Sequence, residues 1–272
     1  MYWLDKTNIN LELILQNEKL HKKILAFITA VSWFGTDTSL LIEKLSKNKA
    51  FINGEAAFWE NYFNESTLIT ENTNQKWMTI LPKPNYLRNL IERKVTESWE
   101  LIFKEKKEEE QLFLDFFKKL NRQYLILLFT QRKYLNERFV ELQWDTILED
   151  INSPYDWDHI YPDSWWAYNI PNLNPITKEW RSSIGNFRVL ALEDNRSEGN
   201  RLSPKDRLEQ KRNISFITDS NWLFWQQIDD KINENQVIIL AKAISDRVCD
   251  IYEEWYNLLL VEELFGSQTK AI

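Results

Sequence analysis

Apolar residues recur at helical spacing over much of the chain. Leu20, Ile24, Phe27, Val31 and Phe34 stand four or three apart, which lines one face of a helix. Gly35 follows as a stop signal, and Asp37 or Thr38 is placed to cap a further helix over 39–45. Leu87, Ile91, Val95, Trp99 and Ile102 predict a long helix after Pro84. Residues 122–139 hold the longest unbroken apolar run, Tyr124 to Phe129, and read as one buried helix with a basic end. Ile244, Val248, Ile251, Trp255 and Leu258 mark the buried face of a last helix, with Cys249 in the core beside Val248. Residues 64–84 are polar and read as a connection. Residues 104–111 are charged on every side and suit a solvated helix surface or a junction between helices.

The texture changes at Asn152. Pro154, Pro162, Pro171 and Pro175 fall close together, with Trp157, Trp165, Trp166 and Trp180 among them. This predicts loop and short strand rather than helix. The tryptophans between His159 and Asn186 read as packing the loop in preference to stacking on a base. Residues 184–192 then read as strand, tight turn and strand, with a short helix opening near Asp194. Another helix starts at Ser203-Pro204, a cap residue followed by proline. The expected class is mostly α (α+β), a helical framework around an irregular centre. The expected division is a helical region over 1–120 and a second domain over 121–272, with its core at 153–212.

Composition narrows the classes. Five glycines and 14% aromatics in 272 residues exclude collagen-like and broadly disordered chains. No apolar run is long enough to span a bilayer, so no membrane partner is expected. The start, MYWLDKTN, lacks the basic-then-apolar pattern of a secretory signal. A single cysteine rules out a disulfide framework and any zinc site built from paired cysteines. A reducing cytoplasm is the expected compartment. The net charge of −7 argues against indiscriminate nucleic-acid binding by the whole surface. Residues 178–212 differ, with nine lysines and arginines against six acids. That local excess predicts one side facing a polyanion.

Two histidines carry the candidate chemistry. His21 lies beside Lys22 and Lys23 on the amphipathic first helix and reads as a surface residue. His159 sits in Tyr-Asp-Trp-Asp-His-Ile-Tyr-Pro, residues 155–162, with Asp158 adjacent. Strand alternation points these two side chains to opposite faces. They serve one site only if the strand ends or twists there, and Pro162 agrees with an ending.

Asp158-His159-Ile160 with Pro162, Ile184-Gly185-Asn186, and Asn195 through Asn200 with Lys205 together resemble the HNH, or ββα-metal, nuclease family. The likeness is closest to the C-terminal nuclease domain of GmrSD-type modification-dependent restriction enzymes. It implies a small ββα-metal unit in the C-terminal half and a divalent-metal-dependent endonuclease acting on DNA, in restriction or phage defence. By this resemblance Asp158 and Asn195 are ligands of Mg2+ or Mn2+. His159 is the general base, and Asn186 holds or orients it through its side chain or the surrounding turn. Arg196, Arg201 and Lys205 are the phosphate-contact candidates, with Asn200 a supporting group. Hydrolysing a phosphodiester needs a base near neutral pH and a cation against the phosphate, which is why these residue types belong together.

The chain departs from the family at Asp163, where glutamine is common, and at Phe187, where leucine is usual. No phosphate-cradling glycine loop is present, although GmrSD-type enzymes normally carry a nucleotide-hydrolysing domain. A second expectation is therefore a subunit inactive until such a partner docks, and a third is RNA in place of DNA. Glu141, Asp145 and Glu149 share a helical spacing and read as a solvated acidic face. A serine-hydrolase triad on His159 lacks a nucleophile elbow.

Overall fold

A computed structural model describes residues 17–35, 39, 43, 47, 81–97, 107–140, 153–169, 176–198, 202–209, 211–229 and 232–265. It is mostly helical, with one two-stranded antiparallel sheet among the described residues. The elements are α1 (Glu18–Phe34), α2 (Pro84–Glu97), α3 (Glu108–Leu120), α4 (Leu125–Thr130), α5 (Arg132–Arg138), β1 (Tyr155–His159), α6 (Asp163–Asn169) and α7 (Ile176–Arg181). They continue with β2 (Phe187–Ala191), α8 (Leu192–Glu198), α9 (Pro204–Glu209), α10 (Asp219–Trp225), α11 (Glu234–Leu258) and α12 (Val261–Phe265). Two compact units divide the chain: residues 1–83 with 256–272, and residues 84–255. The division expected at residue 120 lies inside the second unit. No helix among the described residues is long and apolar enough to cross a membrane.

In the first unit, α1 starts where Asn17 Oδ1 accepts the Leu20 amide at 3.1 Å. It ends at Gly35, whose amide returns to the Val31 carbonyl at 3.0 Å. Ile24, Phe27 and Phe34 of the predicted stripe are buried, together with Ala26 and Ala30. Lys19 pairs with Glu263 at 2.6 Å, and Lys83 with Glu262 at 2.5 Å, so both ends of the described part of the 1–83 stretch are tied to α12. The cap expected at Asp37 or Thr38 lies outside the described residues, as do residues 64–80 of the connection and the acidic face over 141–149.

In the second unit, Leu87, Ile91 and Val95 of α2 are buried, while Trp99 and Ile102 lie outside the described residues. Ile244, Val248, Ile251 and Trp255 of α11 are fully buried, and Cys249 lies in the core beside them. Arg88 of α2 pairs with Asp246, with Asp250 at 2.6 Å and with Glu253 at 3.1 Å. Those acids recur along one face of α11, so one guanidinium serves three carboxylates. Burial, then the neighbouring Asp250, pushes the Asp246 carboxyl up to about 6. Glu110, inside the charged run, is buried and bonds Arg93 of α2 at 2.7 Å, so that end of the run is a junction between helices.

Two expectations need correction. The apolar stretch 122–139 is not one helix: it breaks at Gln131 into α4 and α5. The buried Gln131 amide gives the physical reason, because it satisfies the free edge of β2. Its Nε2 donates to the Val189 carbonyl at 3.0 Å, and its Oε1 accepts the Val189 amide at 2.8 Å. The proline-rich stretch, in turn, contains the short helices α6 and α7. Pro162 stands directly before the first residue of α6, where proline starts a helix instead of breaking one.

Candidate functional site

β1 and β2 pair with Tyr155 opposite Ala191, Asp156 opposite Leu190, Trp157 opposite Val189, Asp158 opposite Arg188, and His159 opposite Phe187. α8 follows β2 without a linker. Tyr134 secures that junction: its hydroxyl accepts the Ala191 amide at 2.9 Å and donates to Asp194 at 2.8 Å. Burial pushes its phenol up to about 12, so it stays a donor across the physiological range.

His159 is the last residue of β1. Its ring lies against Phe187, centroids 4.0 Å apart, on the face that also carries Trp157. Trp157 and Phe187 both meet Tyr124 edge to face, at 5.8 and 5.1 Å. His159 Nε2 stands 3.8 Å from Asp163 Oδ1, too far for a hydrogen bond. Asp163 is itself held by Arg181, through the Nε and through Nη2 at 2.5 Å. Burial pushes the imidazole below its ordinary value, against the pull of Asp163 and Asp158, while Arg181 and Arg207 add to the drop. That direction favours the neutral ring, in which one nitrogen can take a proton.

Asn186 acts on the turn after His159 rather than on its ring. The Asn186 Oδ1 accepts the Tyr161 amide at 2.8 Å, and its Nδ2 donates to the carbonyls of Tyr161 at 3.3 Å and Arg181 at 3.2 Å. Its own carbonyl accepts the Ile160 amide at 2.8 Å. The chain thus leaves β1 at a fixed angle. Arg247 of α11 holds the 184–187 turn that carries Asn186, donating to the carbonyls of Ile184 at 2.9 Å, Gly185 at 3.0 Å and Phe187 at 2.6 Å. Burial, with Arg188 nearby, lowers its pKa to about 9. Gly185 is sterically required there, since a Cβ would fall 2.1 Å from the Ile244 carbonyl oxygen.

The opposite face of β1 carries Asp156 and Asp158. Asp158 is nearly buried between two guanidiniums. Arg188 Nε reaches its Oδ2 at 2.8 Å, and Arg207 Nη1 reaches both its oxygens at 3.3 Å. Arg207 also donates to the His159 carbonyl at 3.2 Å. Asn195 of α8 donates its Nδ2 to Asp156 Oδ2 at 2.9 Å. An amide beside a carboxylate must turn its NH2 toward it, which directs its carbonyl oxygen elsewhere. Asp158 and Asn195 therefore border one face of the hairpin, and His159 stands at that hairpin's end. Among the described residues no group of three or more His, Cys, Asp or Glu gathers around a metal position. Carboxylate and amide oxygens are the ligand types of a hard cation, but both Asp158 oxygens are engaged by Arg188 and Arg207.

The basic stretch is less of a surface than its composition implied. Arg188 and Arg207 are buried. Arg181 is paired with Asp163, and Arg212 with Asp219. Lys205 is exposed in the first turn of α9, while Asn200, Arg201 and the Arg196 side chain lie outside the described residues. Trp166 and Trp180 pack inward as expected, and Trp157, which precedes His159, is 36% exposed.

Sequence reasoning missed Asp156, Arg188, Arg207 and Gln131. Asp156 was findable, two residues before Asp158 and hence on the same strand face. An arginine within the apolar strand Phe187–Ala191 hinted at a buried ion pair. Nothing local marked Arg207 or Gln131. Comparisons with family models, curated proteins and solved structures found no match to this chain.

Proposed function

We propose that this chain is a divalent-cation-dependent endonuclease of the ββα-metal kind that hydrolyses phosphodiester bonds in DNA. One observation carries the reading. A strand pair running directly into a helix puts a half-buried histidine at the strand's end, with the Asp158 and Asn195 oxygen donors on the opposite face of that strand. His159 takes the proton of the attacking water. Asn186 fixes the backbone exit that sets the imidazole's position. Asp158, steadied by Arg188 and Arg207, and Asn195, oriented by Asp156, are the residues that would hold the cation. When bound, magnesium or manganese supplies positive charge against the phosphate and the departing oxygen. Lys205 is the exposed cation placed to meet the backbone. Restriction of invading DNA is the setting that the family resemblance implies.

The test is plasmid cleavage with magnesium, with and without EDTA, beside His159→Ala. Cleavage should need the ion, and His159→Ala should slow it by about 10² to 10⁴. Equal cutting by the variant, or cutting undiminished in EDTA, would overturn the assignment.

A further inference from the structure

One face of the hairpin is aromatic and partly open. Tyr155, Trp157 and His159 of β1 alternate onto it, opposite Ala191, Val189 and Phe187 of β2. Tyr124 packs against it, so the rings of Tyr155, Trp157, Tyr124, Phe187 and His159 form one chain of contacts. Trp157 is the one exposed tryptophan, tyrosine or phenylalanine among the described residues. Tyr124 and Tyr155 meet it at 67° and 86°, so neither ring lies parallel over its face. A flat ring without a parallel neighbour can still take one. Trp157 and His159 are two residues apart on one strand face, about 7 Å. A nucleotide spans that distance from its phosphate to its base. None of the six strand residues on this face is an acid, because Asp156 and Asp158 point to the other side. Asp163, near His159, is paired with Arg181, and Glu179 is paired with Arg122, two residues before Tyr124. Those carboxylates therefore do not repel a polyanion.

Resting on the nuclease reading, we infer that this face binds an unpaired nucleobase, stacked on Trp157, next to the phosphodiester presented to His159. The substrate class is then DNA with an unpaired or extruded nucleotide at the cleavage point. In a paired duplex the neighbours cover both faces of each base, and only a base outside the stack can lie on an aromatic side chain. Stacking of this kind tolerates any base, because each has a π-face. Trp157 thus selects the structure that is cut and not its sequence.

The experiment compares three labelled DNAs with the full-length chain. They are a paired duplex, the same duplex with one extra unpaired thymidine, and that DNA with an abasic residue in place of the thymidine, which keeps the bulge and removes the base. Binding is read by fluorescence anisotropy in EDTA, and cleavage on gels after magnesium is added. The thymidine should raise affinity about 5- to 150-fold over the paired duplex, and the abasic residue should lose that gain. Trp157→Leu should lose it too, whereas Trp157→Phe, which keeps a ring, should retain most of it. Cleavage should follow the same order, at the phosphates flanking the unpaired base. The comparison of thymidine with the abasic residue uses the unmutated chain, so poor folding of a variant leaves the inference exposed to refutation. A gain that persists undiminished in Trp157→Leu would overturn the assignment to Trp157. If the three DNAs bind alike and all are cut, the stacking site is wrong and the nuclease reading survives. If the gain appears, depends on Trp157 and nothing is cut, the stacking site stands and the nuclease reading falls. If no gain appears and nothing is cut, both fall together.

Discussion

Replacing Gly185 by alanine tests the packing under the site through its sign. The glycine backbone is not in the left-handed region, so a side chain there carries no conformational strain of its own. In open space Gly→Ala would stabilise by about 0.4–1 kcal/mol, because the unfolded chain loses freedom. The structure leaves no such space. The added Cβ would meet the Ile244 carbonyl oxygen at 2.1 Å and the Ile244 Cγ2 at 2.9 Å. An ordinary carbon–oxygen contact is no closer than about 3.3 Å, so the turn and α11 must part by about 1.2 Å. Overpacking of this kind costs about 1–3 kcal/mol. Parting also stretches the Arg247 bonds to Ile184, Gly185 and Phe187, each a charge-assisted contact worth about 1.5–3 kcal/mol. The expected loss is about 2–4 kcal/mol, and a drop in Tm of about 5–15 °C follows for a unit of this size. Thermal unfolding followed by tryptophan fluorescence reads it directly. An unchanged or raised Tm would refute the close approach of the 184–186 turn to α11. Since that turn carries Asn186, plasmid cleavage should also fall in the variant at temperatures where it remains folded.

Other expectations follow from the same geometry. Arg247→Met leaves buried carbonyls at Ile184, Gly185 and Phe187 without their donor, and should cost about 3–5 kcal/mol in urea unfolding; a loss below 1 kcal/mol would contradict the contacts described. Gln131→Leu keeps the volume but strips both partners from Val189, so a loss of about 1–3 kcal/mol is expected, with faster amide exchange at Val189. Asp246 has its folded pKa raised from 3.8 to about 6. Its contribution is therefore full below pH ~4 and is lost as pH rises through ~6, by up to about 3 kcal/mol. Asp246→Asn should flatten the stability profile of the parent across that window; an identical profile in both chains would show that Asp246 does not titrate there.

The sequence by itself determined the helices whose burial is periodic and the position of the candidate chemistry. Ile24, Phe27 and Phe34, and later Ile244, Val248, Ile251 and Trp255, are buried because a helix repeats every 3.6 residues and any packing partner selects one face. Local punctuation was equally legible: Gly35 ends α1, and Ser203 with Pro204 opens α9, with the Ser203 hydroxyl accepting the Asp206 amide at 3.1 Å. The strand alternation that sends Asp158 and His159 to opposite faces was readable too.

Only the tertiary structure decided what each polar residue meets. Gln131 looked like part of a helix, yet it completes a strand edge that is 58 residues away in sequence. Arg188 and Arg207 counted toward a basic surface by composition, yet they lie inside, on either side of Asp158. Periodicity reports which side of an element is buried, whereas a hydrogen bond or ion pair across a long loop depends on distances that folding alone sets. The residues most open to misreading were therefore buried polar groups, whose partners are remote in sequence and whose cost if left unpaired makes those partners indispensable.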